Sequence, residues 1–449
     1  MAKDLELNQR RYMSDEERVR DFQRKLYRKA KQERSFRFYI LYDKVCSRRF
    51  LREAYRRCRK KNGAPGVDEI SFGELENKIG INAFIKEIEK DLIEGTYKPQ
   101  PVLRVYIEKK NGGLRPLGIP CIKDRVIQQA CKLVIEPIFE ADFEEESYGF
   151  RPKRSAKDAM KKIKENLIQN KTEVLDMDLS AYFDNISHKE LMTLVARRIS
   201  DKKVLHMIKM WLKCPVIEDG NITGGKKNKK GTPQGGVISP LLANIYLNTL
   251  DKAVKRPDGP FKRIGATIVR YADDFVIMAP QITEYLEWYL TGLLDRLKLG
   301  VNGEKSTKVD ARQKPFSFLG FTIRYDKDRK GRDKRYWNIE PSDKSLNGIV
   351  GKIREYLRRN RHKAPKVITS DLNAKIRGWL NYFTVPGVSY PANKKRKLRW
   401  YLVQKLYRFY KRKSQRRCKL YKQGAFKVLT RKYGLIDPTK YFLKETVKA

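Results

Sequence analysis

The chain has 449 residues, enough for two or three domains with real cores, and its 100 Lys and Arg against 53 Asp and Glu give a formal charge of +47. A surface that basic repels itself unless a polyanion is its working partner, and 24 Tyr and 19 Phe interleaved with the cations suit bases as well as phosphates. Three histidines and six scattered cysteines without a C-x-x-C pair exclude a zinc cluster or an HNH-type nuclease; with no signal peptide and no apolar run of membrane length, a reduced, cytoplasmic nucleic-acid-binding protein is expected.

Residues 1–60 are dense in Arg and Lys and carry apolar residues at helical spacing (Phe36, Phe38, Ile40, Leu41, Val45, Phe50, Leu51, Tyr55), which predicts one or two basic helices. A solvated charged face and a nucleic-acid contact are equally open there. Asn62-Gly-Ala-Pro-Gly-Val-Asp68 is a turn cluster that marks a boundary. From Lys86 a helix leads to Lys98-Pro-Gln-Pro101, and the stretch Arg104 to Ile119 predicts a strand, a Gly-Gly turn and a second strand. Lys109, Lys110 and Arg115 flank that turn, where they either grip a triphosphate or decorate a solvated hairpin. A helix over 124–140, the compact loop Ser147-Tyr-Gly-Phe-Arg-Pro152 and a helix over 155–169 follow.

In Val174-Leu-Asp-Met-Asp-Leu179, Asp176 and Asp178 alternate with apolar residues, so both acids share one face of a strand. Acids on a strand that otherwise reads as core need a reason, and a metal site supplies one. Helices are expected at 188–199 and 202–212, then a Lys- and Gly-rich loop over 220–231. Gly231-Thr-Pro-Gln-Gly-Gly-Val-Ile-Ser-Pro240 opens a helix to about Lys255; its glycines let backbone approach a ligand, and Gln234 can reach a base or sugar.

Ala266–Arg270 and Phe275–Met278 read as short buried strands joined at Tyr271-Ala272-Asp273-Asp274. A tight turn brings Asp273 and Asp274 toward one site, and two like charges so placed call for a divalent cation. Magnesium takes one or two carboxylates plus phosphate oxygens, which points to phosphoryl transfer; an exposed Asp-Asp turn is the plain alternative. A helix over 283–297, Asn302-Gly-Glu-Lys305 before a strand, and a hairpin at Phe316-Ser-Phe-Leu-Gly-Phe321 come next. Beyond Pro341 the chain reads as helical and basic, with Ile376–Phe383 as an apolar-aromatic face and Trp400, Tyr401, Tyr407, Phe409 and Tyr410 among Lys and Arg in 391–449.

The order of these motifs resembles the reverse transcriptases encoded by group II introns, with their fused maturase domain. The resemblance covers about residues 62–325 and continues through Ile376–Phe383, which is similar to the maturase signature. It implies an α+β right-hand polymerase: a basic helical extension over 1–61, fingers and a palm with an antiparallel sheet over 62–330, a helical thumb/maturase region over 331–390, and a basic DNA-binding region over 391–449. It further implies that Asp178 and Asp273 hold two Mg²⁺ ions (Mn²⁺ a substitute), with Asp274 beside them and Leu179 adding its backbone carbonyl.

Lys109, Arg115 and Arg151 would counter the charge of a deoxynucleoside triphosphate, with Lys305 near its phosphates or, in the plainer reading, on the surface. Tyr182 would be the wall against a ribose 2′-hydroxyl, core packing being an equally good reading of Phe183, and Gln234 would lie against the incoming nucleotide or templating base. Asp176 is expected to support the site, and Asp184 and His188 to order the turn and helix that follow. Glu108 stands where the family usually has proline, and the chain stops at Ala449 before any Cys/His-bearing endonuclease domain, so cleavage of a DNA strand is not expected of it.

The implied function is RNA-directed DNA synthesis together with binding of group II intron RNA to assist splicing and mobility. The partners would be an RNA template, intron RNA, a DNA primer or target and deoxynucleoside triphosphates, with no membrane. Two alternatives stand beside it: a domesticated relative in bacterial defence or CRISPR adaptation, and an RNA-binding splicing factor without polymerase activity. The acids Asp178, Asp273 and Asp274 with Lys109 and Arg115 weigh against the second, and the bulk of Tyr182 weighs against RNA synthesis.

Overall fold

In the computed structural model, residues 13–108, 113–225, 227–303, 306–328, 333–413, 420 and 423–443 are described. They fall into two compact units, one made of Met1–Ser155, Asp176–Val276 and Thr283–Ser306, the other of Ala156–Leu175, Ile277–Ile282 and Thr307–Ala449.

The first unit begins with the helix Asp15–Gln32, started by a Ser14/Glu17 capping box, with acids in its first turn and Lys29 and Lys31 in its last. The helix Arg48–Lys61 turns Phe50, Leu51, Ala54, Tyr55 and Cys58 inward. Both lie against Ile122–Glu140, a helix buried along almost its whole length. The Gln23 amide donates to the Leu133 carbonyl at 2.8 Å, and Glu53, nearly dry, is held by Arg56 at 2.8 Å and Arg57 at 2.6 Å. Residues 1–61 were expected as a separate extension; the described part instead shares the core of this unit, because one face of each helix is apolar enough to be buried there.

A sheet of order β2-β1-β4-β5 crosses the unit. In it β1 (Val102–Glu108) pairs antiparallel with β2 (Leu114–Ile119), and β4 (Pro215–Glu218) runs parallel to β1 and antiparallel to β5 (Asn221–Gly224). The first hairpin is the expected one. The second replaces part of an expected loop: Asp219 and Gly220 both take positive φ, 47° and 82°, the turn an Asp-Gly dipeptide favours. A second sheet has the order β6-β7-β3-β8, with β3 at Glu173–Met177, β6 at Thr267–Tyr271, β7 at Asp274–Ala279 and β8 at Thr307–Asp310. Its β3 and β7 contribute residues to both units. The helix Ser239–Lys255 packs against β6.

The second unit contains a sheet of order β11-β10-β9, in which β10 (Phe321–Lys327) pairs with β9 (Phe316–Phe318) and β11 (Arg335–Pro341). Helices Asp343–Arg359, Pro365–Phe383, Ala392–Lys411 and Ala425–Tyr433 follow and bury Ile353, Leu357, Ile368, Leu372, Ile376, Leu398, Leu402 and Leu406. Lys394 is buried with its ammonium 2.6 Å from Asp343 and 3.6 Å from Glu340. The expected boundary at 330/331 falls inside the β10–β11 hairpin, where Lys327 opposes Arg335, so a domain does not divide there. The five cysteines among the described residues are free and buried, and no described helix is long and apolar enough to cross a membrane.

Leu51, fully buried on the helix Arg48–Lys61, tests whether the N-terminal region belongs to the core of the first unit. Leu51→Ala should lower stability by about 2–5 kcal/mol in urea denaturation; a midpoint shift corresponding to less than about 0.5 kcal/mol, as at a surface position, would refute the shared core.

Candidate active site

The acidic turn is built against the preference of its own backbone. β6 ends at Tyr271 and β7 begins at Asp274, so Ala272 and Asp273 form a two-residue connection with φ +62° at Ala272. Glycine is the usual residue at such a position, and a residue with a Cβ there costs roughly 1–3 kcal/mol that the surroundings must offset. The loop at Ser147 supplies those surroundings. The Tyr148 amide donates to the Arg270 carbonyl at 2.8 Å, and the Arg270 amide to the Glu146 carbonyl at 2.9 Å. Gly149 then lies so close to the turn that a Cβ on it would sit 2.2 Å from the Ala272 nitrogen.

Asp178 stands just past the end of β3. Its amide donates to Ser306 Oγ at 3.2 Å and its carbonyl accepts from the Asn302 amide at 2.8 Å. The Ser180 amide donates to the Gly300 carbonyl at 2.9 Å, so the main chain around Leu179 is fixed on both sides. The Asp176 carboxyl is pushed up to about 6, first by burial and then by Asp274 and Asp178. Asp274, though its side chain reaches solvent, is also raised to about 6, by lost hydration, then Asp273 and Asp178. Asp273 is raised by burial and by Asp178, with Arg115 and Arg270 opposing.

These acids feel one another, and Arg115 is the cation felt by both acids of the turn. Among the described residues no three His, Cys, Asp or Glu side chains close on a single point. Adjacent carboxylates suit a hard divalent ion that completes its shell with water and substrate phosphate.

A cavity of about 640 Å³ is lined by Arg115 and Leu117 from β2, by Phe150, by Phe183, and by Gln234 and Gly235. The loop carrying Gln234 is docked on two elements. Its carbonyl accepts from the Gly118 amide, and Gly235, at φ +116°, comes so near β2 that a Cβ would be 2.1 Å from the Gly118 oxygen. On the other side the Thr232 amide donates to the Phe183 carbonyl and the Gly231 amide to the Ile186 carbonyl, both at 2.8 Å. His188, whose burial lowers its affinity for protons, sits with Nε2 2.7 Å from the Gly231 carbonyl.

Two expectations are corrected. Tyr182 is only 3% exposed, and its hydroxyl donates to the Ala243 carbonyl at 2.6 Å, so its ring packs behind the site. Phe183, beside it, is the aromatic that lines the cavity. Arg151 is buried too; its guanidinium is taken up by Glu140 at 2.7 Å and by the Ser147 carbonyl at 2.8 Å, and so braces the loop instead of meeting a nucleotide. Lys109 and Lys305 lie outside the described residues. Sequence reasoning passed over Phe150, Asn244, Asp251 and Arg270. The first lines the cavity, and the other three form hydrogen bonds that end on the turn.

Residues 107–323 match the family described as reverse transcriptase (RNA-dependent DNA polymerase), and residues 346–424 the group II intron, maturase-specific domain. The second match crosses the boundary expected at 390/391. The chain is 35% identical over 378 residues to Protein YkfC of Escherichia coli K12, covering 75% of this chain and 97% of that protein. It is 32% identical over 404 residues to the group II intron-encoded protein LtrA of Lactococcus lactis subsp. cremoris, covering 71% of this chain and 65% of LtrA. With nuclear intron maturase 4, mitochondrial, of Arabidopsis thaliana it shares 22% identity over 311 residues, 65% of this chain and 37% of that protein. The chain thus spans nearly all of YkfC but less than two thirds of LtrA.

The crowding of acids fixes a pH dependence. Asp176 and Asp274, raised to about 6, hold protons in the folded protein that the unfolded chain has already released. Stability therefore falls as the pH rises through the window between the ordinary carboxylate value and about 6, and the penalty is complete above it. Without divalent ions, Asp176→Asn should raise the melting temperature at pH 8 by roughly 2–4 °C and by less at pH 5. Mg²⁺ should stabilise the wild type more at pH 8 than at pH 5. A melting temperature at pH 8 that falls in Asp176→Asn would contradict the electrostatic account.

Proposed function

The chain belongs to the reverse transcriptases that carry a group II intron maturase domain, and from that premise we propose that it copies RNA into DNA at the Asp273–Asp274 turn and binds group II intron RNA to assist splicing and mobility. The observation that carries the first part is that the turn acids feel both Asp178 and the basic hairpin residue Arg115, which lines a cavity with Phe183 and Gln234.

Asp178 and Asp273 would hold two Mg²⁺ ions, with Asp274 and the Leu179 carbonyl alongside. Bound there, the ions supply activation of the primer 3′-hydroxyl and neutralisation of the leaving pyrophosphate. Arg115 offers its charge where negative charge spreads over the transferring phosphoryl group, and Lys109 and Lys305 keep the phosphate roles implied by their motifs. Phe183 closes the ribose side of the cavity, the part earlier given to Tyr182. Gln234, on a loop fastened to β2 and to the Phe183 turn, meets the base or sugar.

In this reading β1 and β2 belong to the fingers, the sheet containing β3, β6 and β7 is the palm, and the helices from Asp343 onward serve as thumb and maturase region. The RNA-binding part rests on the maturase match and on the helix Ala392–Lys411. That helix exposes Arg396, Lys397, Trp400, Tyr407 and Arg408, with Trp400 66% accessible. Structured RNA is held by phosphate, 2′-hydroxyl and stacking contacts of this kind, and the same basic surface suits a DNA target.

Primer extension on an RNA template with Mg²⁺ and deoxynucleotides tests the assignment. Asp273→Asn and Asp274→Asn should reduce synthesis to the detection limit while RNA affinity stays within about twofold of wild type, since neither side chain is a phosphate-binding cation. Extension by both variants at the wild-type rate would remove the turn from the chemistry. Sugar selection gives an independent check. Phe183→Ala should raise ribonucleotide incorporation relative to deoxynucleotide by about tenfold or more, whereas Tyr182→Leu should cost stability and leave the ratio unchanged; the opposite pattern would restore Tyr182 as the wall.

A further inference from the structure

Arg270, the last residue before Tyr271 on β6, is 0% exposed and heads the large side chains buried completely in the protein. A guanidinium in that position is costly even when paired, and apolar residues of similar volume often serve stability as well or better. Stability therefore does not account for an arginine at this point. Its hydrogen bonds do. Nε donates to both oxygens of Asp251, at 2.8 and 3.1 Å. That leaves Nη1 to donate to the Ala272 carbonyl at 2.9 Å and to Asn244 Oδ1 at 3.0 Å.

The Ala272 carbonyl belongs to the peptide joining Ala272 to Asp273. Relaxing the positive φ of Ala272 would turn the chain about its N–Cα bond, carrying that carbonyl and the Asp273 carboxylate beyond it away. Gly149 lies against the main chain of Tyr271 and Ala272, and its carbonyl accepts from Asn244 Nδ2 at 2.8 Å. Arg270, Asn244, Gly149 and Ala272 thus close a ring around the turn. Asn244 and Asp251, the two partners of the Arg270 guanidinium, stand on the helix Ser239–Lys255, seven residues apart and so on one face of it.

We infer that the buried Arg270–Asp251 pair, with Asn244, is a positioning device that pins the Ala272–Asp273 peptide and so fixes where the two turn carboxylates stand. Arg270 is a positioning residue, acting through the backbone it holds. The inference rests on the reading of Asp273 and Asp274 as the catalytic carboxylates and adds the means by which an unfavourable turn is kept in place.

The experiment compares four full-length variants with wild type: Arg270→Met combined with Asp251→Leu, Arg270→Lys, Asn244→Leu, and Asp273→Asn as control. Each is measured for melting temperature, template–primer affinity, and kcat and KM for one deoxynucleotide. The double variant replaces the ion pair by apolar residues, so it should fold and bind template–primer as wild type does. Its kcat should fall by 10- to 100-fold with little change in KM, because displacement of a reacting group by about 1 Å is enough for that loss. Arg270→Lys keeps the charge but lacks the fork, and should lose kcat as well.

A double variant that melts like wild type and keeps kcat within twofold would overturn the inference. If that variant does not fold, Asn244→Leu decides: it leaves the ion pair in place and opens the ring, so an unchanged kcat overturns the inference and a loss confined to kcat supports it. Wild-type synthesis by Asp273→Asn would instead remove the carboxylate assignment itself, and the inference with it.

Discussion

Like charges gathered at the ends of adjacent strands repel, and the architecture around the acidic turn keeps them together all the same. Asp273 and Asp274 stand at a turn whose first residue has φ +62°, and the charge of neighbouring acids raises the affinity of Asp176, Asp273 and Asp274 for protons. Nothing within this group of residues favours the arrangement. It holds because the Ser147–Gly149 loop, the helix Ser239–Lys255 and the strand β6 meet on the same few backbone atoms. An acidic site kept under repulsion is a site prepared for a cation, and the energy stored against folding is returned when the cation and its phosphate ligands arrive.

The same logic explains why glycine recurs around the cavity. Gly149 must let backbone touch backbone at Ala272, and Gly235 must do so at Gly118. In each case the close approach locks a loop that carries a cavity-lining side chain, Phe150 or Gln234, to a neighbouring element. Gln234 is thereby referred to β2, where Arg115 stands, and to the turn of Phe183. The cavity is rigid through main-chain contacts, which leaves its side chains free to address a substrate.

Much of this was legible in the sequence, and the parts that were not share physical causes. The Tyr-Ala-Asp-Asp turn, Asp176 on β3 with Asp178 just past its end, and the first basic hairpin follow from alternation and turn chemistry, which are local. Tyr182 was expected at the wall from the spacing of the family's motif, but Ala181, at φ +43°, starts the short helix Tyr182–Asn185, which turns the Tyr182 ring into the core and leaves Phe183 lining the cavity. Arg151 and Arg270 are two of 100 basic residues in a chain whose charge already reads as a surface for polyanions, so neither announces that it is buried. Their partners Glu140 and Asp251 lie 11 and 19 residues away on helices, and only the fold brings them together. The limits expected at 61/62 and 330/331 do not follow the packing for a similar reason: composition changes along the chain, but the N-terminal helices and strands β10 and β11 are joined by packing and pairing that composition does not record.

The formal charge of +47 and the acidic site are two halves of one electrostatic design. A polyanion approaching four carboxylates would be repelled if they stood alone, so the chain must draw the strand in elsewhere and bring it to the acids with its charge already countered. The exposed cations and aromatics of the helix Ala392–Lys411 suit the first task, and Arg115 with the divalent ions suits the second. Holding the strand is then a matter of many solvated phosphate contacts, individually weak and sensitive to salt. Chemistry depends on a few dry and rigid ones, chief among them the bonds to the Ala272 peptide. A weakened surface cation therefore lowers occupancy, whereas a loosened turn lowers turnover in a complex that is still fully formed.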